Sequence, residues 1–171
     1  SKSKGNVINP DEYIDRYGAD AVRLYLMFMG PFDQGGDFRD TAIEGMSRWV
    51  GRVWRLVHAV VGTQSQLSSA AIQSALQNVI MKVTEDIEKH HYNTAIASMM
   101  EFTNLVSDEG GGLSKEDAQS FLLLLAPFAP FITEELWYQL HNTKPPEDSK
   151  TNIDIMRACK SIHLESWPTP D

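Results

Sequence analysis

Between Met46 and Val61 the apolar residues return every three or four positions. Met46, Trp49, Val50, Val53, Trp54, Val57, Val60 and Val61 fall on one broad arc at about 100° per residue. Arg48, Arg52 and Arg55, spaced i, i+4, i+7, fall on the opposite side. A stripe of this kind buries one side of a helix and leaves the other in water. The same period runs through almost the whole chain, so the fold class read from the sequence is all-α. The expected architecture is an antiparallel helix bundle in which successive helices pack back on one another. No internal repeat is present.

Punctuation along the chain places the helices. Residues 1–5 are polar and basic, end on a glycine and carry no period, which predicts a loop. Asn9-Pro10-Asp11-Glu12 reads as a helix start, with Asn9 accepting from orphan amides and two acids facing the positive helix end. Gly18 ends that first helix. A second, opened by Asp20, is apolar on nearly every face and belongs at the centre of the fold. A third starts at Asp40 and is expected to reach about Val61. Ile72, Leu76, Val79, Ile80, Val83 and Ile87 mark a fourth, and Asn93 is expected to cap a fifth. Ser114 and Asp117 resemble a capping box for a sixth helix ending near Leu125, and Thr133 is expected to start a seventh. Residues 142–152 are polar with Pro145-Pro146 and read as a surface loop, residues 155–158 as one helical turn, and residues 162–165 as a short extended piece.

At 171 residues the chain is long enough for a core that needs no disulfide or metal. Cys159 is the single cysteine, which excludes an internal disulfide and points to a reducing, cytoplasmic setting. No run of about 20 apolar residues is present, so no membrane span is expected. A formal net charge of -8 argues against broad attraction for phosphate, so any RNA contact must be local.

No complete catalytic constellation appears. The phosphate-binding glycine fingerprint, the H-E-x-x-H pair and the G-x-S-x-G turn are all missing, and no metal site is expected. His90-His91 sits at a helix end, where an imidazole favours the negative dipole. Trp49, Trp54, Trp137 and the methionines lie on apolar arcs and read as core rather than as stacking platforms for bases. The arginine stripe reads two ways: three cations reaching phosphates spaced along a strand, or the solvated back of a half-buried helix.

Ser1-Lys2-Ser3-Lys4-Gly5-Asn6 followed by Tyr17-Gly18-Ala19-Asp20-Ala21-Val22-Arg23-Leu24 resembles the K-M-S-K-S signature of class I aminoacyl-tRNA synthetases and the helices after it. The family motif begins two residues earlier, so Lys2 matches its second lysine and the chain is expected to open inside the motif. Leu26-Met27-Phe28-Met29-Gly30-Pro31, Arg52-Val53-Trp54-Arg55-Leu56, Asn93-Thr94-Ala95-Ile96, Leu125-Ala126-Pro127-Phe128-Ala129-Pro130 and Thr133-Glu134-Glu135-Leu136-Trp137 resemble the leucyl-tRNA synthetases of class Ia. Residues 142–161 match no family pattern.

The resemblance implies a parent enzyme in which leucine's carboxylate attacks the α-phosphate of ATP, pyrophosphate leaves, and the leucyl group passes to tRNA(Leu). It assigns Lys2 a catalytic role on the departing pyrophosphate and places Ser1, Lys2 and Ser3 against ATP with its Mg2+. It implies a division into residues 1–18, the end of the signature loop with its following helix, and residues 19–171, the helical anticodon-binding domain. Arg48, Arg52 and Arg55 become candidates for the tRNA backbone. Catalytic, editing and C-terminal domains of the parent lie outside this chain, so the chain alone is expected to be inactive. Two other readings stand beside this one: a helical interaction module without nucleic-acid binding, and the same domain of an isoleucine, valine or methionine enzyme.

Overall fold

The computed structural model describes residues 8–31, 33–34, 36, 38–62, 67–143 and 160–170. Among them lie seven helices: α1 (Pro10–Tyr17), α2 (Ala19–Phe28), α3 (Asp40–His58), α4 (Ala70–Glu88), α5 (Tyr92–Asp108), α6 (Lys115–Leu125) and α7 (Pro130–His141). A 3₁₀ turn, Ile162–Leu164, follows, and the described residues contain no strand. The all-α class is the one the periodicity demands. The signature residues 1–5 and the expected turn at 155–158 lie outside the described residues, as does the loop from residue 144 on.

Caps form where the small polar residues stand. Asn9 Oδ1 accepts from the Asp11 amide at 3.2 Å, Ser69 Oγ from Ile72 at 3.3 Å and Ser114 Oγ from Asp117 at 3.0 Å. Ser114's own N–H donates to Ser68 Oγ at 2.7 Å, so a distant serine does what the reciprocal acid of a capping box would do. Gly18 adopts φ 85° between α1 and α2, a conformation that a side chain would strain.

Several boundaries differ from the sequence reading. α3 ends at His58, and residues 59–62 form turns. α5 starts at Tyr92, not at a cap on Asn93, because the His91 amide closes the end of α4 on the Asp86 carbonyl at 2.7 Å. α7 starts three residues early, at Pro130, since the first helical position is the one where a missing N–H costs nothing. Residues 162–164 are helical, not extended: Ser161 Oγ accepts from the His163 amide at 3.2 Å, and the Leu164 amide returns to the Ser161 carbonyl at 3.0 Å.

The core is shared by all the long helices. α4 and α5 form a hairpin through a three-residue turn, and α2 packs against α1, α3, α5 and α7. Leu24, Ile43, Ile72, Ile96, Met99, Phe121, Phe128 and Leu136 are fully enclosed. Trp49 and Trp137 are buried as their arcs require, whereas Trp54 is half-buried. Trp49 Nε1–H donates to Thr103 Oγ1 at 2.9 Å inside the core. On α2 the apolar surface is not buried all round: Leu26 is about half exposed.

Candidate nucleic-acid interface

α3 turns Ile43, Met46, Trp49, Val53 and Val57 into the core, so at helical spacing Arg48, Arg52 and Arg55 are carried on its outer side. Two glycines share that outer side. A methyl group on Gly51 would stand 3.5 Å from Arg55 Nη1, and one on Gly45 would stand 4.0 Å from Arg48 Nη2. The guanidinium groups of Arg48 and Arg55 therefore lie back along the helix over positions without side chains.

The three arginines are not equivalent. Arg48 is 75% exposed and approaches Glu44 at 3.9 Å. Arg55 is exposed. Arg52 is half-buried and donates through Nη1 to Asn104 Oδ1 on α5, so the stripe is not evenly solvated along its length. A primary amide carries no charge, so Asn104 orients the guanidinium and leaves its positive charge in place.

α1 adds a cation that the sequence reading did not assign. Arg16 reaches Glu44 at 3.8 Å, and Tyr17 donates its hydroxyl to the same carboxylate at 3.4 Å. One acid thus stands between Arg16 and Arg48, and the face keeps an excess of positive charge on a chain of net charge -8. Exposed pairs of this kind hold their partners weakly and exchange readily for a phosphate. Tyr13 fastens α1 to the start of α3 by donating to Asp40 at 2.7 Å. Arg16 had no legible signal because its neighbour on the face belongs to another helix.

Lys2, Ser1 and Ser3 lie outside the residues that the structure describes. What it describes is the exit from that loop. On α2, buried Asp20 accepts the amides of Phe131 at 3.3 Å and Ile132 at 2.7 Å, capping an α7 whose own preceding residue, Ala129, offers no side-chain acceptor. One turn on, Arg23 donates through Nη2 to the Pro127 carbonyl at 3.0 Å and through Nε to the Phe128 carbonyl at 3.3 Å. α2 therefore grips both sides of the elbow between α6 and α7, an acid on the free amides and a base on the free carbonyls. Burial pushes the Asp20 carboxyl above its ordinary range, against the opposing pull of the two amides, Arg23 and His163. The signal for this clamp was two charges within an otherwise apolar helix. Among the described residues no group of three or more His, Cys, Asp or Glu side chains converges as metal ligands, and no helix is long and apolar enough to cross a membrane.

A family model described as the anticodon-binding domain of tRNA ligase matches residues 70–171, and one described as class I tRNA synthetases (I, L, M and V) matches residues 1–37. The chain belongs to the anticodon-binding domain family of tRNA ligases. Its relatives include the leucine–tRNA ligase of Dehalococcoides mccartyi strain 195, 41% identical over all of this chain and 20% of the relative, and that of Rubrobacter xylanophilus, 38% identical over the same shares. The agnB2 LeuRS of Agrobacterium radiobacter K84, solved as a ternary complex with tRNA and LeuAMS, superposes with a TM-score of 0.76 at 31% identity over the whole chain and 22% of that structure. The chain spans about one-fifth of the length of the relatives it matches.

Proposed function

We propose that this chain is the tRNA-contacting helical part of a leucine–tRNA ligase, preceded by the end of the ATP-binding loop. The observation that carries the reading is the basic face formed by Arg48, Arg52 and Arg55 on α3 with Arg16 beside them, in a chain otherwise rich in acids. Phosphates of a tRNA backbone, spaced along a strand, meet successive guanidinium groups there, and the bare backbone at Gly45 and Gly51 allows close approach. Contacts of this type position an RNA and carry no base sequence, which suits a partner recognised by shape.

In the parent protein Lys2 neutralises the charge that grows on departing pyrophosphate, and Ser1 and Ser3 hold the loop against ATP and its Mg2+. Residues 1–18 serve the reaction centre and residues 19–171 the tRNA, within a cytoplasmic enzyme that charges tRNA(Leu) with leucine. The 171-residue chain alone does not exchange pyrophosphate into ATP with leucine, and turnover by it would contradict this placement.

Binding of leucine tRNA to the chain as a function of salt tests the interface. The slope of log K against log salt should flatten by roughly two to three units in the triple Arg48→Ala, Arg52→Ala, Arg55→Ala variant, close to one for each phosphate no longer neutralised. An unchanged slope would favour a helical module that binds another protein, as the net charge of -8 suggests.

A further inference from the structure

Both oxygens of the Glu44 carboxylate are taken by groups of the basic face. Oε1 stands 3.8 Å from Arg16 Nη2 and accepts the Tyr17 hydroxyl at 3.4 Å, while Oε2 stands 3.9 Å from Arg48 Nη1. We propose that Glu44 is an internal competitor for the RNA backbone: it fills the place of one phosphate when RNA is absent and must leave before that phosphate binds. The inference rests on the RNA reading of the arginine face and adds the group that limits how tightly that face holds.

Three observations favour competition over a tie that only joins α1 to α3. The two helices are already fastened by Tyr13, which donates to Asp40 at 2.7 Å, well within hydrogen-bond range. The two ion-pair separations exceed the roughly 2.7–2.9 Å of a charge-assisted hydrogen bond, so Glu44 offsets the charge of both guanidinium groups without a direct bond to either at those atoms. The carboxylate is 46% exposed between arginines exposed by 70% and 75%, so a phosphate can reach the same donors and Glu44 has water to withdraw into. The Arg16 guanidinium lies over the Tyr17 ring at 4.9 Å, a contact that keeps these two donors together once the carboxylate has gone.

Glu44 stands four residues before Arg48 on α3, so it competes as a tethered group, at an effective concentration that dissolved anions do not reach. A phosphodiester is free to close on the donors to bonding distance, whereas the carboxylate is held by its own backbone. Once displaced, Glu44 remains beside the bound phosphate as a like charge. About one unit of positive charge is thereby withheld from the RNA, which lowers both the affinity and its dependence on salt.

Glu44→Gln keeps an acceptor for Tyr17 and removes the charge. It should bind leucine tRNA about fivefold tighter than the parent chain, with a slope of log K against log salt steeper by about one. Asp15→Asn removes the same charge from an exposed position next to Arg16 in sequence, but adjacent helical residues do not face each other, so its effect should stay below about twofold. In a chain that also carries Arg16→Ala and Arg48→Ala, Glu44→Gln should gain nothing. A gain no larger than that of Asp15→Asn, or one that survives the loss of both arginines, overturns this inference alone. So does a lower melting temperature with unchanged affinity, which would make Glu44 a tie between helices. If neither the parent nor Glu44→Gln binds the tRNA, the RNA reading fails and the competitor fails with it.

Discussion

Asp20 and Thr103 are polar side chains enclosed in the core, and each is there because a buried N–H elsewhere needs an acceptor. Asp20→Ala should lower stability by about 2 kcal/mol, the loss of a carboxylate cap on two amides, read from urea denaturation. Burial raises its folded pKa above the unfolded value, so the native chain binds that proton more tightly. Its contribution is therefore largest when protonated and declines as pH rises from the ordinary carboxylate range through the raised folded value. Asp20→Asn does not titrate and should lack that decline, so the stability difference between parent and variant should fall as pH rises above the ordinary carboxyl pKa of about 3.9. Thr103→Val is isosteric yet strands the Trp49 indole N–H, and should cost about 1–3 kcal/mol in the same assay. Neither partnership was legible in the sequence, because Asp20 and Ile132 are separated by 112 positions and Trp49 and Thr103 by 54.

At the level of the element, α3 combines a strong apolar arc with two glycines in its interior. Each glycine costs about 1 kcal/mol relative to alanine in a helix. A methyl group placed on Gly45 would meet nothing nearer than 4.0 Å, so Gly45→Ala should stabilise the chain by about 0.5–1 kcal/mol, measured as a rise in melting temperature. Gly36, between α2 and α3, behaves in the opposite sense. A methyl group there would stand 2.8 Å from the Met29 carbonyl oxygen, so Gly36→Ala should cost about 1–3 kcal/mol. The identity of all seven α-helices was legible, and so were the caps at Asn9 and Ser114 that act on their own helix. The starts of α5 and α7 were not, since tertiary hydrogen bonds supply what local caps do not.

Across the whole molecule the described C-terminal residues lie on the bundle as a strap. Glu134 on α7 accepts from Ser161 Oγ at 2.9 Å and from the Ile162 amide at 3.0 Å, and also from the Tyr138 hydroxyl. Trp137 Nε1 donates to the Lys160 carbonyl at 3.0 Å, and Trp167 Nε1 to Thr84 Oγ1 at 2.8 Å. Glu134→Ala should cost about 2 kcal/mol and expose the segment after Lys160 to limited proteolysis well before the bundle is cut.

The sequence alone determined that this chain is a bundle of amphipathic helices, where most of them begin and end, and that three arginines share one face of α3. Those are properties of residues within a few positions of each other, and the 3.6-residue period imposes them without reference to the rest of the chain. Only the tertiary structure decided that Arg52 is steered by Asn104 across 52 positions, that Arg16 joins the basic face, and that Asp20 and Arg23 clamp the α6–α7 elbow. The reason is physical: a buried donor or acceptor must be satisfied by whatever packing brings within about 3 Å of it, and that partner is chosen by the fold rather than by nearness along the chain.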